Sequence, residues 1–433
     1  MEGSPLGGPR SLTPSGPDAK QLLNTARDPE GGGGNMTELS TSDVYFDPYD
    51  VEINANPYPV YKRLRDEAPV YHNEPHDFWT LTRRADIEAA LKNWEVFSSS
   101  RSNILDIMKM DIELPPAIIL FEDPPAHTMH RGLMSRIFTP RRMAALEDQV
   151  RAYCVSCLDP LVGQDRFDII TELAAVMPMR VIGMLLGIPE SVHTEVRDRS
   201  EEFLRTEAGQ PMDVDPDQIA NGEMYEEYIE WRSTHPSDDL MTLLLTSEFT
   251  DEEGNNRTLT RSEVLTYTQV IAGAGNETTG RLIGWLAKVL ADHPDQRREI
   301  AGDRSLIMPA IEETLRFEPP GPGIARYITE DVEIHGVTVP AGAAMLLLVA
   351  SANRDERAHD QPDVFNIHRD EPHLTFGFGL HYCLGANLAR LEGRIALEEI
   401  LDRWPEWDVD MDGAKLSSTT TVRGWDAMPM VIG

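Results

Sequence analysis

A cysteine in a glycine-rich stretch, FGFGLHYCLG at residues 376–385, has the sequence context of a metal ligand. Gly377 and Gly379 allow a tight turn where a side chain would clash. The segment that follows, residues 386–404, has the apolar spacing of a long amphipathic helix. Cys383 should therefore lie near the positive end of a helix, which favours the metal-binding thiolate form. The plainer alternative is a buried structural thiol in a turn.

A second unusual stretch, AGAGNETTG at residues 272–280, lies in the middle of the longest helix candidate, Arg261 to Asp292. Each glycine inside a helix costs about 1 kcal/mol relative to alanine, so this composition needs a compensating reason. An acid, Glu277, and two β-branched residues, Thr278 and Thr279, follow the glycines of this stretch. The alternative is a helix whose small residues allow close packing.

Two further pairs of side chains have helical spacing and so share a helix face. His127 and Arg131 follow an Asp-Pro-Pro sequence, and two such donors on one face suit a carboxylate ligand. Glu313 and Arg316 can form an ion pair within one helix turn. Taken alone, both pairs are more typical of a solvated helix surface.

The stretch at residues 376–385 resembles the cysteine-ligand loop of the cytochrome P450 family at every position: Phe, two spaced Gly, a basic residue, Cys and Gly. In that family the cysteine is the axial thiolate ligand of haem iron, and its electron donation favours O–O cleavage. The resemblance covers roughly residues 44 to 433. It implies a mainly α (α+β) fold, a helix-rich single domain with small β-sheets that enclose haem.

The resemblance also assigns roles to individual residues of this chain. Glu277 would pass protons inward, and Thr278 would hydrogen-bond to bound oxygen or its water, in a helix distorted to leave a groove for dioxygen. Cys383 would ligate the iron. The remaining implied contacts are haem binding by His127, Arg131, Arg326, Phe376, His381 and Gly385, and substrate binding by Val270, Ala274, Ile324, Thr421 and Val422.

Glu313 and Arg316 match the family's E-x-x-R pair, which stabilises the cysteine loop from beneath. The usual third member is an Arg or His in a Pro-x-x-Phe segment, but this chain has Val364 at that place. A valine side chain cannot make that contact. Arg369 or Arg354 would have to replace it.

The elements that must position these residues can be outlined from periodicity and breakers. Residues 1–40 are rich in Gly, Pro and Ser and are expected to be a disordered extension, with one domain over 41–433. The connection 97–121 is expected to roof the substrate pocket. Expected helices are 61–67, 85–92, 122–138, 143–161, 167–186, 192–206, 217–234, 239–248 and 261–292, with a strand at 78–82 and a hairpin formed by 326–334 and 337–340.

Composition excludes several classes of partner. The net charge of −34, from 73 acidic and 39 basic residues, disfavours nucleic acid and anionic membranes. No apolar run reaches the ~18 residues of a membrane helix. Three cysteines do not form a disulfide framework, so a cytoplasmic protein is expected. Cys154 and Cys157 fall inside a helical pattern and are expected to pack in the core.

These inferences predict a monomeric monooxygenase that contains haem b and inserts one oxygen atom of O2 into a small apolar substrate, such as a terpenoid, steroid or fatty acid. Electrons from NAD(P)H would arrive through a separate iron-sulfur ferredoxin and its reductase, because the family domain spans the whole chain after residue 44.

Three alternatives remain. The first is a haem-thiolate sensor or carrier, against which the Glu277 and Thr278 pair argues. The second is a peroxide-driven oxygenase, which has no need of that pair. The third is a zinc protein that uses His373, His381 and Cys383.

Overall fold

The structure is a computed structural model that describes residues 44–433 apart from 111, 113, 116 and 215–222. Residues 44–433 form one compact unit. The expected disordered extension, 1–40, and the first part of the helix expected over 217–234 lie outside the described residues.

Helices dominate the described residues. Short 3₁₀ turns and one π-helical segment, Ile170–Ala174, connect several of them. The α-helices, α1 to α16 in chain order, are Val51–Ala55, Tyr58–Glu67, Arg84–Lys92, Leu105–Met108, Ala126–Ser135, Pro140–Ala144, Glu147–Leu158, Met177–Leu186, His193–Leu204, Glu226–Thr234, Leu240–Thr246, Arg261–Asp292, Pro294–Gly302, Ile307–Phe317, Val349–Ala352 and Ala386–Arg403.

The strands form one five-stranded sheet, one three-stranded sheet and three two-stranded ribbons. The five-stranded sheet has the order β1-β2-β10-β7-β3, and β2 with β10 is its parallel pair. The strands, β1 to β14 in chain order, are Val70–Asn73, Phe78–Leu81, Phe97–Ser98, Arg166–Asp168, Phe249–Thr250, Asn256–Arg257, Ile324–Ile328, Val332–Ile334, Val337–Val339, Ala344–Leu347, Trp407–Val409, Lys415–Leu416, Trp425–Ala427 and Pro429–Ile432.

Helix α12 is the centre of the helical part and has the bounds predicted from the sequence. It begins at Arg261 because Thr260 and Glu263 form a reciprocal capping box, in which each side chain accepts a hydrogen bond from the other residue's backbone N–H. The helix packs against α8, α9, α14 and α16. These contacts bring residues 272–280 into the interior of the protein.

Two predicted elements differ from the structure because long-range pairing overrides the local pattern. Residues 167–186 do not form one helix: Phe167 pairs with Met430 in the sheet of β4 and β14, and α8 begins only at Met177. Arg326 does not belong to a hairpin with residues 337–340. It lies in β7 opposite Met345 of β10, while the hairpin contains only β8 and β9.

Two of the cysteines lie in the main hydrophobic core, as predicted. Cys154 and Cys157 are buried on α7 and are not joined to each other. Within the described ranges no helix combines the length and the apolar character needed to cross a bilayer.

Candidate active site

The loop that carries Cys383 lies between a 3₁₀ turn, Gly379–His381, and α16. Gly377 and Gly379 have φ angles of 74° and 72°, in the left-handed region that favours glycine. A methyl group on Gly379 would lie 3.0 Å from the carbonyl oxygen of Leu91, so the loop also needs glycine for space. The Cys383 N–H donates to the Phe376 carbonyl over 2.8 Å and closes the loop.

The Cys383 side chain is exposed at the end of this loop. Its surface is accessible, yet the surrounding protein desolvates it and raises its pKa. The backbone N–H groups of Gly385 and Ala386 and the charges of Arg131 and Arg390 oppose this rise in pKa. The sulfur therefore has an accessible side together with donors and cations that stabilise a thiolate.

Four basic side chains from separate parts of the chain surround this region. His127 of α5 and His381 of the cysteine loop have ring centroids 4.2 Å apart. Arg131, one turn after His127, donates to the carbonyl oxygen of Tyr382. Arg326 is buried on β7, and the charges of Arg326, His127 and Arg131 join burial in lowering the pKa of His381 to about 3. The sequence could predict each of these four residues, but it could not show that α5, β7 and the cysteine loop bring them close together.

These four groups fit an anionic cofactor. Burial lowers the pKa of Arg326 to about 10, which shows how strongly its charge is desolvated. Both ring nitrogens of buried His127 lack a hydrogen-bond partner among the described residues. Within residues 44–433 as described, none of the four forms an ion pair with a carboxylate. A ligand with carboxylate groups, such as haem with its propionates, would satisfy these donors.

Helix α12 presents Glu277 and Thr278 at a cavity of about 570 Å³. The Thr278 hydroxyl donates to the Ala274 carbonyl over 2.8 Å. One oxygen of Glu277 accepts from Arg281 over 2.7 Å, and the other is buried without a partner in the described residues. Burial raises the pKa of Glu277, although the nearby Arg281 opposes this.

Helix α12 runs without a break through this stretch. The glycines have two different surroundings. A methyl group on Gly275 would lie 2.4 Å from the Ile182 side chain, and one on Gly280 would lie 2.6 Å from the Ala174 carbonyl oxygen. Gly273 lines the cavity and has nothing near its missing side chain. The small residues therefore serve close packing on one side of α12 and leave space on the other.

Four of the five residues predicted to contact substrate line this cavity: Val270, Ala274, Thr421 and Val422. Ile324 is not among its lining residues, because it begins β7 and packs on the core of the five-stranded sheet.

The expected roof is also present. Apolar residues of the connection 97–121 line the same cavity, namely Ile104, Ile107, Ile118, Leu120 and Phe121.

Comparisons with known proteins match this architecture. A family model described as Cytochrome P450 matches residues 203–424. The putative cytochrome P450 123 of Mycobacterium tuberculosis (strain ATCC 25618 / H37Rv) is 34% identical over 397 residues, which cover 90% of this chain and 97% of the relative. The chain belongs to the cytochrome P450 family. This P450 is therefore a monooxygenase of a family whose cofactor is haem.

Two other relatives of this P450 cover similar lengths. The vitamin D(3) 25-hydroxylase of Pseudonocardia autotrophica is 35% identical over 408 residues, which cover 92% of this chain and 99% of the relative. The structure of a mutant of P450 EryK in complex with erythromycin B has a TM-score of 0.80 and 31% identity, and the match covers 88% of this chain and 96% of that chain.

The E-x-x-R pair of this P450 forms a buried ion pair on α14. Arg316 donates to both carboxylate oxygens of Glu313 over 2.7 and 2.8 Å. The third member is Arg369, whose Nε lies 3.2 Å from Glu313. Arg354 instead pairs with Glu318 and Asp363. Of the two candidates that the sequence left open, the structure therefore selects Arg369.

Asn353 connects this ion pair to the segment that leads into the cysteine loop. Arg316 donates to the carbonyl oxygen of Asn353 over 2.9 Å. The Asn353 side chain accepts from the Leu374 N–H over 2.7 Å and donates to Thr375 over 2.9 Å. The loop that ends at Cys383 thus begins on residues that the ion pair holds.

Sequence reasoning missed two charged residues of the site. Arg281, the partner of Glu277, has the i, i+4 spacing that could have indicated it. Asp106 lines the cavity from the roof, but the apolar residues around it in the sequence concealed it. The zinc alternative gains no support, since the described residues contain no group of three His, Cys, Asp or Glu side chains that could share a metal ion.

Proposed function

We propose that this P450 contains haem b and uses two electrons from NAD(P)H, delivered by a separate ferredoxin and ferredoxin reductase, to hydroxylate or epoxidise a small, mostly apolar substrate such as a terpenoid, steroid or fatty acid. The observation that carries the proposal is the exposed Cys383 thiol at the start of α16, in a loop that Arg131, His127 and His381 contact without a carboxylate partner among the described residues.

In this proposal Cys383 ligates the haem iron, and Phe376 and Gly385 border the ring. The propionates are held by His127, Arg131, Arg326 and His381. Thiolate-ligated haem supplies the activation of dioxygen with O–O cleavage. The four basic groups fit this role because the propionates would replace the solvation that they lose on burial.

Glu277 and Thr278 manage protons at the cavity wall. Because the Thr278 hydroxyl donates its hydrogen to Ala274, its lone pairs are available to accept a hydrogen bond from a water or a protonated group. Burial raises the pKa of Glu277, so this carboxyl group can hold and release a proton nearer to neutral pH. Arg281 fixes one of its oxygens and leaves the other available.

An apolar substrate is favoured by the roof of the cavity, which excludes water with isoleucine, leucine and phenylalanine side chains. The cavity volume of about 570 Å³ suits a molecule of drug-like size. The relative that is a vitamin D(3) 25-hydroxylase supports an apolar substrate class.

Separate redox partners and a cytoplasmic, monomeric enzyme complete the proposal. The match to the mycobacterial relative covers 97% of that protein, so the shared part is the P450 domain itself. All three cysteines are free, which fits a reducing compartment.

The decisive experiment is the absorption spectrum of the dithionite-reduced protein under carbon monoxide. We expect a strongly red-shifted Soret band for the native chain and for the control variant Cys157→Ala, which removes a core thiol. Cys383→Ala should lose that band. A native protein without the band, or a band that persists in Cys383→Ala, would refute the proposal.

A second experiment distinguishes the routes of electron supply. NAD(P)H consumption with ferredoxin, reductase and a bound apolar compound should yield oxidised product in proportion. Product formed only with added hydrogen peroxide would favour the peroxide-driven alternative, and binding without turnover by either route would favour a sensor or carrier.

A further inference from the structure

The substrate cavity contains a buried acidic side chain, Asp106 of α4, that the proton-handling groups do not use. Its side chain lines the same cavity as Thr278 and is only 7% exposed. It accepts three hydrogen bonds. One oxygen receives the Tyr49 hydroxyl over 2.9 Å and the Met212 N–H over 3.1 Å, and the other receives the Thr420 hydroxyl over 3.0 Å.

None of these three donors carries a charge. The Met212 N–H can only donate, and burial beside Asp106 raises the pKa of Tyr49, which keeps the phenol protonated. The donors stabilise the carboxylate without neutralising it, and a carboxylate can accept about four hydrogen bonds. The oxygen that binds Thr420 accepts one hydrogen bond, so it has one acceptor position left.

The described residues supply no cation to Asp106. Among the described residues it has no ion-pair partner, and the internal residues outside the description, 111, 113, 116 and 215–222, include no Lys, Arg or His. Arg199 is the one cationic side chain among the described lining residues, and it pairs with Glu195 over 3.0 Å. Glu202 also lines the cavity and adds a negative charge there, whereas Glu277 is paired with Arg281.

We propose that the natural substrate carries a cationic amine on its apolar body and that Asp106 binds this amine. A buried carboxylate without a counter-charge is costly, and a cationic group of the substrate in contact with it would compensate that charge. The hydroxyl oxygen of Thr421, buried without a partner in the described residues, offers a second polar contact on the same wall. The inference rests on the proposed function, since it assumes that this cavity receives the substrate.

A structural role for Asp106 is the rival explanation. Its three hydrogen bonds join α4 to Tyr49, to Met212 after α9 and to Thr420 in the loop between β12 and β13. A purely structural residue would affect all ligands equally, whereas a recognition residue would affect cations alone. The ratio of two affinities therefore separates the two roles.

The test uses the haem-loaded protein and two probes of equal shape. One is a phenylbutyl trimethylammonium ion, which has no lone pair for iron, and the other is its neutral isostere, with a tert-butyl carbon in place of the nitrogen. Dissociation constants are measured by calorimetry. We expect Asp106→Asn to weaken the cation relative to the isostere by about ten-fold or more.

Two control variants sharpen the result. Glu202→Gln removes the same charge from the same lining and should change the ratio by less than about two-fold. Thr420→Val removes one hydrogen bond to Asp106 but no charge, and should weaken both probes alike. An Asp106→Asn variant that weakens both probes equally, or a Glu202→Gln variant that lowers the ratio as much, overturns the inference.

If Asp106→Asn does not retain haem, a crystal structure of the native holoprotein with the ammonium probe decides the question. The ammonium group in contact with the Asp106 carboxylate supports the inference, and an ammonium group elsewhere overturns it. Failure of the proposed function would give a different result. The native protein would then lack the red-shifted Soret band under carbon monoxide, independently of how tightly the two probes bind.

Discussion

Replacement of Arg369 by methionine tests whether this arginine stabilises the fold beneath the cysteine loop. Its Nε lies 3.2 Å from Glu313. Its Nη1 lies 2.6 Å from Glu371 and donates to the Asp360 carbonyl over 2.7 Å. The Arg369 side chain is 6% exposed and that of Glu313 1%, so this pair is shielded from solvent, whereas Glu371 is 38% exposed.

The expected loss follows from what Glu313 retains. In Arg369→Met, the Glu313 carboxylate still accepts two hydrogen bonds from Arg316 and one from the Asn366 N–H over 2.8 Å. The buried hydrogen bond to Glu313 is worth about 1.5–3 kcal/mol and the solvent-screened pair with Glu371 less than about 1 kcal/mol, so we expect the free energy of unfolding to fall by about 2–3 kcal/mol. Arg316→Met should cost more, roughly 3–5 kcal/mol, because it breaks the fully buried pair.

A matched control is Arg357→Met. Arg357 contacts three carboxylates, those of Asp66, Asp355 and Glu356, whereas Arg369 contacts two, but the Arg357 side chain is 41% exposed. Solvent screens such pairs, so the loss should stay below about 1 kcal/mol. Urea denaturation of the three holoprotein variants, followed by the Soret band and by tryptophan fluorescence, measures the order. An Arg369 variant no less stable than the Arg357 variant would refute the reasoning.

Three further predictions concern residues inside the helical core. Gly280→Ala would place a methyl group 2.6 Å from the Ala174 carbonyl oxygen and should lower the unfolding free energy by roughly 1–3 kcal/mol, whereas Gly273→Ala, with open space, should raise it by up to about 1 kcal/mol, both measured in urea. Glu392 is buried with neither carboxyl oxygen partnered in the described residues, and burial raises its pKa well above the ordinary value. Its folded state therefore binds more protons than the unfolded chain, so native stability should fall as pH rises above about 4.3, the ordinary value. Glu392→Leu should remove this slope and stabilise the protein at pH 7 by about 1–3 kcal/mol, which unfolding at pH 5 and pH 8 would test. Glu277→Gln, which cannot carry a proton, should lower turnover with ferredoxin and reductase by roughly 100-fold while substrate affinity stays nearly constant, and unchanged turnover would contradict its role.

Local sequence was sufficient wherever neighbouring residues decide the structure. The bounds of α12 were predicted correctly because its capping residues and apolar period are both local. The turn before Cys383 was predicted from Gly377 and Gly379, whose φ angles have the sign that such a turn needs. The interior position of Cys154 and Cys157 followed from helical periodicity alone.

Long-range contacts were beyond the same reasoning. Strand β10 lies between β2 and β7, so residues 344–347 separate strands that are far apart in the chain. Arg326 lies near the cysteine loop because β7 belongs to this sheet. The order of the strands cannot be predicted from the local sequence pattern of any one of them. Asp106 was missed for a related reason, since its three donors come from segments near residues 49, 212 and 420.

Residues 417–426, which run from the end of β12 into β13, contact both the proton-handling acid Glu277, through Arg281, and the wall of the substrate cavity. Arg281, which holds Glu277, is itself held by the Ser417 hydroxyl, the Trp425 carbonyl and Asp426. Residues 420–422 of the same loop line the cavity, and Thr420 binds Asp106. A substitution in this loop therefore acts on the acid that handles protons and on the wall that contacts substrate. Turnover and binding must be measured together for any variant there, because a change in either one alone does not identify which half of the site was disturbed.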